Sequence, residues 1–231
     1  MTIAVCLSGQ VRTFAENCPR LHEMFVLAAG GGEDRVHYFG ALHFADRGWA
    51  TKWNWQAVTV EQMVTPPRFH HPALGHPRVK DFPERPLWEQ YQGVASVGAL
   101  VRAHEWLRGS RYDWVVRCRF DLWVRTPMEN LSTLAADAIY FPGCDNWYGH
   151  NDRFAFGPSV LMQHYFTFPR AIARYLIEPA RDKVASEIFL GQHLAVEGVP
   201  CKTTSAVLVT NRGGGVFDKP VYHPLQGDTP P

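Results

Sequence analysis

The sequence predicts an α/β fold, a mostly parallel sheet flanked by helices on both faces. Short apolar runs alternate with stretches of helical periodicity along most of the chain. Runs such as "TIAVCLSG" and "VVRCRFDLWV" are apolar and β-branched, as strands buried under helices tend to be. No internal repeat and no low-complexity linker divides the 231 residues, so residues 1–231 read as one domain.

The elements follow in order. "TIAVCLSG" reads as a first strand feeding a turn at Ser8–Gly9. Residues from about Thr13 to Leu27 read as a helix interrupted near Pro19. A glycine turn precedes a second strand around Val36–Leu42. The segment from about Ala45 to Pro86 is rich in Trp, His and Pro and reads as a long irregular loop. The stretch "LWEQYQGVASVGALVRAHEWLRGS" is the clearest helix, with a stripe of Tyr91, Val94, Ala95, Val97, Leu100, Val101 and Leu107. A strand over 115–124 follows, then one in "AADAIYFPG". A polar loop, "CDNWYGHNDRFAFG", runs into a short apolar segment. Helices are read in "VLMQHYFTFPRAIARYLI" and "SEIFLGQHLAVEG", and a last strand in "PCKTTSAVLVTN". A Gly- and Pro-rich tail begins at about 212.

Composition excludes several function classes. Hydrophobic residues make up 46% and charged residues 19%, an ordinary globular balance; eight Trp are more than usual. A formal charge of +1 supplies no global basic field for nucleic acid. No apolar run approaches the roughly 20 residues of a membrane span. "MTIAVCLSGQ" lacks the basic and apolar regions of a signal peptide. Five scattered cysteines without a CxxC spacing read as free thiols in a reducing cytoplasm.

Within 115–124, Arg117, Arg119 and Asp121 occupy alternate positions and are expected on one face. Charge inside a sheet is costly unless paired, but charge at a strand end reaches the crevice where α/β proteins bind ligands. Two readings fit. Asp121 holds a divalent cation while the arginines meet a diphosphate, or the three form a structural Arg–Asp network. After the first strand, amides around Ser8, Gly9 and Gln10 and the Arg12 side chain are candidates for phosphate. The turn is neither GxGxxG nor a P-loop, which disfavours dinucleotide, P-loop and methyltransferase readings. In the polar loop, Asp145, Asn146, Trp147 and Tyr148 combine planar polar groups with an aromatic platform suited to an acceptor sugar, and Asp152 is the acid expected near the reacting centre. His70, His71 and His76 match no standard zinc spacing. Trp49, Trp53 and Trp55 suit either an acceptor platform or a folded-back apolar patch.

Five segments occur in order: "AVCLSGQVRTF", "EQYQGVASVGALVRAHEW", "YDWVVRCRFDLWV", "YFPGCDNWYGHNDRFAFGPS" and "SEIFLGQHLAVEGVP". Together, over roughly residues 3–210, they resemble the small GT-A-type glycosyltransferases of bacterial and viral polysaccharide synthesis. The resemblance implies a Rossmann-like GT-A fold, a nucleotide-diphosphate-sugar donor, a hydroxyl acceptor on a glycan, and Mn²⁺ or Mg²⁺ held by an Asp-x-Asp pattern. Here that place reads Arg119-Phe120-Asp121, so only the second acid is present. The resemblance further implies His223 as a second metal ligand, Lys219 on phosphate, and Glu187 as a family acid at a helix start, which, like Asp152, is a candidate to take the acceptor proton. The alternative is a non-catalytic nucleotide- or carbohydrate-binding module.

Overall fold

The computed structural model describes residues 1–9, 11, 13–43, 55–61, 84–146, 149–175, 186–213, 216–217 and 219. Its main sheet has seven strands: β1 (Ile3–Ser8), β2 (Val36–His43), β3 (Trp55–Glu61), β4 (Trp114–Arg119), β6 (Ile139–Pro142), β7 (Phe154–Pro158) and β8 (Cys201–Thr204). Their spatial order is β3-β2-β1-β4-β7-β6-β8. Every neighbouring pair is parallel except those made by β7, which runs antiparallel to both β4 and β6. A second, antiparallel sheet of order β10-β9-β5 joins β5 (Leu122–Thr126), β9 (Val207–Gly213) and β10 (Val216–Phe217).

Alternation along the strands sorts the core into two layers. Ile3, Val5 and Leu7 of β1 and Trp114, Val116 and Cys118 of β4 face α1 (Phe14–Ala28), packing on Phe14, Leu21 and Phe25. Ala4, Cys6 and Val115 face the other way. They meet Tyr91, Val94 and Val97 of α2 (Glu84–Arg108), Met162 and Tyr165 of α3 (Ser159–Tyr175) and Leu190 of α4 (Ser186–Val196). The result is the mostly parallel sheet with helices on both faces that the sequence predicts.

Several expectations are corrected. Pro19 does not interrupt α1. Proline has no N–H for the Ala15 carbonyl one turn back, and the Cys18 thiol donates to that carbonyl instead, at 3.5 Å. Residues 55–61, expected within the irregular loop, form β3 and pair with β2; their alternating Val58-Thr59-Val60 core is the period-2 signal that the surrounding Trp, His and Pro obscured. Leu107 is not on the buried stripe of α2 but 74% exposed. Glu105 is buried in its neighbourhood, accepting from Ser159 Oγ and from the Tyr112 amide. The expected single strand over 115–124 is two strands, β4 and β5, in different sheets. The last strand also divides, into β8 and β9, at a turn in which the Ala206 amide donates to Thr204 Oγ1.

Chain order fixes where a ligand belongs. From β1 the sheet is built outward through β2 and β3, and the chain then returns to place β4 on the other side of β1. The β1/β4 boundary is therefore a topological switch point, and the crevice beyond its carboxyl ends is the place where such sheets bind ligands.

Candidate functional site

Ser8 and Arg119 lie opposite each other at that boundary. Gly9 follows at φ +116°, a conformation that side chains rarely adopt, and a Cβ there would lie 3.7 Å from the Arg119 side chain. The first βα turn thus passes beside Arg119 because glycine permits it. Gln10 and Arg12 lie outside the described residues.

Of the three alternate charges, Arg117 and Arg119 do share the face that α2 and α3 cover. Asp121 does not belong to the strand, since β4 ends at Arg119 and Phe120–Asp121 form the turn into β5. Nor does Asp121 face an open crevice. It is fully buried, and both carboxylate oxygens accept from Arg119, Nε to Oδ1 at 2.9 Å and Nη2 to Oδ2 at 2.7 Å. Burial alone would weaken the charged guanidinium, but Asp121, with Asp152 further off, more than offsets it, so Arg119 holds its proton more firmly than usual. Arg119 keeps 19% of its side chain exposed. The group that reaches solvent at this strand end is therefore the arginine, not the aspartate. Arg117 is completely buried. Its Nη1 donates to the Ser8 and Cys118 carbonyls.

The turn is fixed from a distance. The Asn17 amide donates to the Phe120 carbonyl at 3.4 Å, and the Asn211 backbone N–H donates to the Asp121 carbonyl at 2.7 Å. Asn211 and Asn17 are themselves joined side chain to side chain at 2.8 Å.

A second constellation gathers on the α2/α3 side. Asp152 is buried and accepts at Oδ2 from Gln90 Nε2 of α2, at 2.5 Å, and from Ser186 Oγ of α4. Ser186 Oγ also lies 3.2 Å from Glu187 Oε2. The Tyr165 hydroxyl donates to the Asp152 backbone carbonyl at 2.8 Å. Burial first, and the Asp152 charge second, push the Glu187 carboxyl up to about 8, so near neutrality Glu187 retains its proton. Burial first, and then the same two acids, hold the Tyr91 phenol well above its usual range. The arrangement sets the Asp152 carboxyl group, held by two donors, beside a Glu187 carboxyl that keeps its proton near neutrality.

The loop that carries Asp152 is stitched from within. The Asn146 amide donates to the Pro142 carbonyl and accepts from the Asn151 amide, and Asn151 bonds the Cys144 carbonyl and the Arg153 and Phe154 amides. Asn146, expected to meet an acceptor sugar, is instead fully buried with both ends of its side chain used by backbone. Asp145, also expected there, is buried in the left-handed region at φ 57° and pairs with Arg153 Nη2 at 3.5 Å. Gly149 packs directly on α4, where a Cβ would lie 1.9 Å from the Glu187 carbonyl, and the His150 amide donates to that carbonyl at 2.9 Å. This contact brings Asp152 to Glu187. Burial pushes His150 down to about 4, so it is neutral, and it stacks on Phe141.

Asp152 and Glu187, both named from sequence, are thus brought together. Ser8, Gly9, Arg117, Arg119 and Asp121 meet at the switch point. Lys219 is exposed beyond β10. Trp147, Tyr148, His223, the three loop histidines, Trp49 and Trp53 lie outside the described residues. Sequence reading missed Gln90, Ser186, Tyr165 and Arg153. Gln90 beside the α2 stripe was a usable signal; Ser186 reads as a helix start, yet its hydroxyl leaves its own helix for Asp152.

The residues present do not fit a divalent cation at Asp121, because both oxygens are engaged by a guanidinium. No group of three His, Cys, Asp or Glu side chains able to hold a metal occurs among the described residues. No helix among them is long and apolar enough to cross a membrane.

No protein family and no curated protein matches the chain. Similar solved structures include a glycosyltransferase involved in the glycosylation of the major capsid of PBCV-1, 11% identical, over 88% of this chain and 82% of that one, with a TM-score of 0.40. Another is the nucleoside-diphosphate-sugar pyrophosphorylase from Vibrio cholerae RC9, 10% identical, over 87% of this chain and 91% of that one, with a TM-score of 0.42.

Proposed function

We propose that this protein is a glycosyltransferase that moves a sugar from a nucleotide-diphosphate donor to a hydroxyl of a glycan or related acceptor. The observation that carries the reading is the pairing of two features at one sheet edge. Arg119 is presented at the β1/β4 switch point beside the Gly9 turn, and Asp152 is clamped by Gln90 and Ser186 next to a protonated Glu187.

In the proposed reaction the acceptor oxygen attacks the anomeric carbon of the donor sugar. The bond from that carbon to the β-phosphate oxygen breaks, and its electron pair leaves on the diphosphate. The acceptor proton passes to Asp152. Arg119 meets the charge that grows on the leaving group, where a preorganised cation contributes most. Gln90 and Ser186 hold the carboxylate oriented, and the neutral Glu187 adds no competing negative charge.

A non-catalytic binder of nucleotides or carbohydrates is the second reading, favoured by the commitment of Asp121 to Arg119. Turnover separates the two. The protein is incubated with a panel of nucleotide sugars, and released nucleoside diphosphate is measured with and without glycan acceptors. The transferase reading expects release from one donor, lost in Asp152→Asn; binding of that donor with no release supports the module instead.

A further inference from the structure

Resting on that reading, we infer that the site binds its nucleoside diphosphate without a divalent cation, the phosphate charge being met by the Arg119 guanidinium that Asp121 locks in place. A cation at Asp121 would have to displace a two-bonded fork from a carboxylate with no exposed surface. It would then leave two like charges, the ion and the freed guanidinium, within a few ångströms of each other, which low-dielectric surroundings make costly. Left intact, the fork spends Nε and one edge of the guanidinium on Asp121. The Nη1 donors remain, on a side chain that still reaches solvent next to the Gly9 backbone. Guanidinium donors in a fixed plane match phosphate oxygens in both charge and geometry.

Arg117 strengthens the case independently. It sits on the same face of β4, one alternate position back, with no exposure. No carboxylate bonds it among the described residues; Nη1 is held by the Ser8 and Cys118 carbonyls, and a side-chain partner is the uncharged Tyr165 hydroxyl. A buried cation that no carboxylate bonds among the described residues adds positive field toward the strand ends, which favours an anion bound there.

The test is calorimetric titration of UDP, GDP, dTDP, ADP and CDP into the full chain, first with EDTA and then with Mn²⁺. The expected result is that the diphosphate that binds does so with affinities equal within about threefold in the two conditions. Replacing Arg119 alone would strand the Asp121 charge, so the variant is Arg119→Gln with Asp121→Asn, a neutral pair of similar shape. It should weaken binding by about tenfold or more, and Mn²⁺ should not restore it. Binding that appears only with Mn²⁺ overturns the inference and leaves the transferase reading standing, and so does a double variant that binds like the parent in EDTA. Failure of every diphosphate in both conditions removes the transferase site itself, and this inference with it.

Discussion

Replacing Glu187 by Gln gives the sharpest view of the acidic pair. In the folded chain Glu187 titrates at about 8 rather than the ordinary 4.5, because partial burial and then the Asp152 charge disfavour its ionised form. The folded state therefore binds this proton more tightly than the unfolded one. Stability from the proton is fully present below pH 4.5, declines as pH rises through the interval, and is gone above about 8. At about 1.4 kcal/mol per pH unit, the interval sets a ceiling of about 5 kcal/mol. Glutamine resembles the protonated acid and has nothing to lose. Urea unfolding of parent and variant at intervals from pH 5 to 9 should show the variant gaining on the parent by a few kcal/mol, with the gap levelling off above pH 8. Donor turnover by the variant should persist at pH 7 and lack the alkaline fall of the parent. Two unfolding-energy profiles that run parallel across the whole range would refute the protonated-acid assignment.

Other substitutions probe separate joints of the structure. Asp152→Asn should lower turnover by about 10²–10⁴-fold while leaving diphosphate affinity nearly unchanged by calorimetry, as for loss of a general base outside the phosphate contacts. Gly149→Ala places a methyl 1.9 Å from the Glu187 carbonyl; the loop and α4 must separate, and a fall in melting temperature together with loss of turnover is expected. Asp121→Ala leaves the guanidinium of Arg119 without its carboxylate and should cost about 3–5 kcal/mol in urea unfolding.

The sheet was readable because its strands carry their burial in composition. Ile3–Leu7, Trp114–Val116 and Phe154–Phe156 are apolar on both faces, and the helical stripe of α2 is regular until Glu105. What local pattern does not encode is the break between β4 and β5. Phe120 is apolar and buried, stacked edge-on against Phe14 at 4.9 Å, so the run looks continuous. The turn exists because Asn17 and Asn211, far away in sequence, bond the Phe120 and Asp121 carbonyls. That break redirects Asp121 from the crevice onto Arg119. The acidic pair was half legible. Asp152 and Glu187 stand out as acids in a polar loop and at a helix start. Their meeting depends on Gly149 seating the loop against α4, and of the donors Gln90 comes from α2 and Ser186 from the start of α4 itself. Asn146 misled for a physical reason: an amide suits a sugar hydroxyl and a backbone carbonyl equally well, and here backbone holds both of its ends.

The central claim is that a nucleotide diphosphate occupies the crevice at the carboxyl ends of β1 and β4. A crystal structure of the chain soaked with the diphosphate that binds in solution tests it most directly. The account expects phosphate oxygens within hydrogen-bond distance of the Arg119 guanidinium, with the Arg119–Asp121 fork intact and the sugar side open toward Asp152. A diphosphate bound elsewhere on the molecule, with Arg119 untouched, would contradict it.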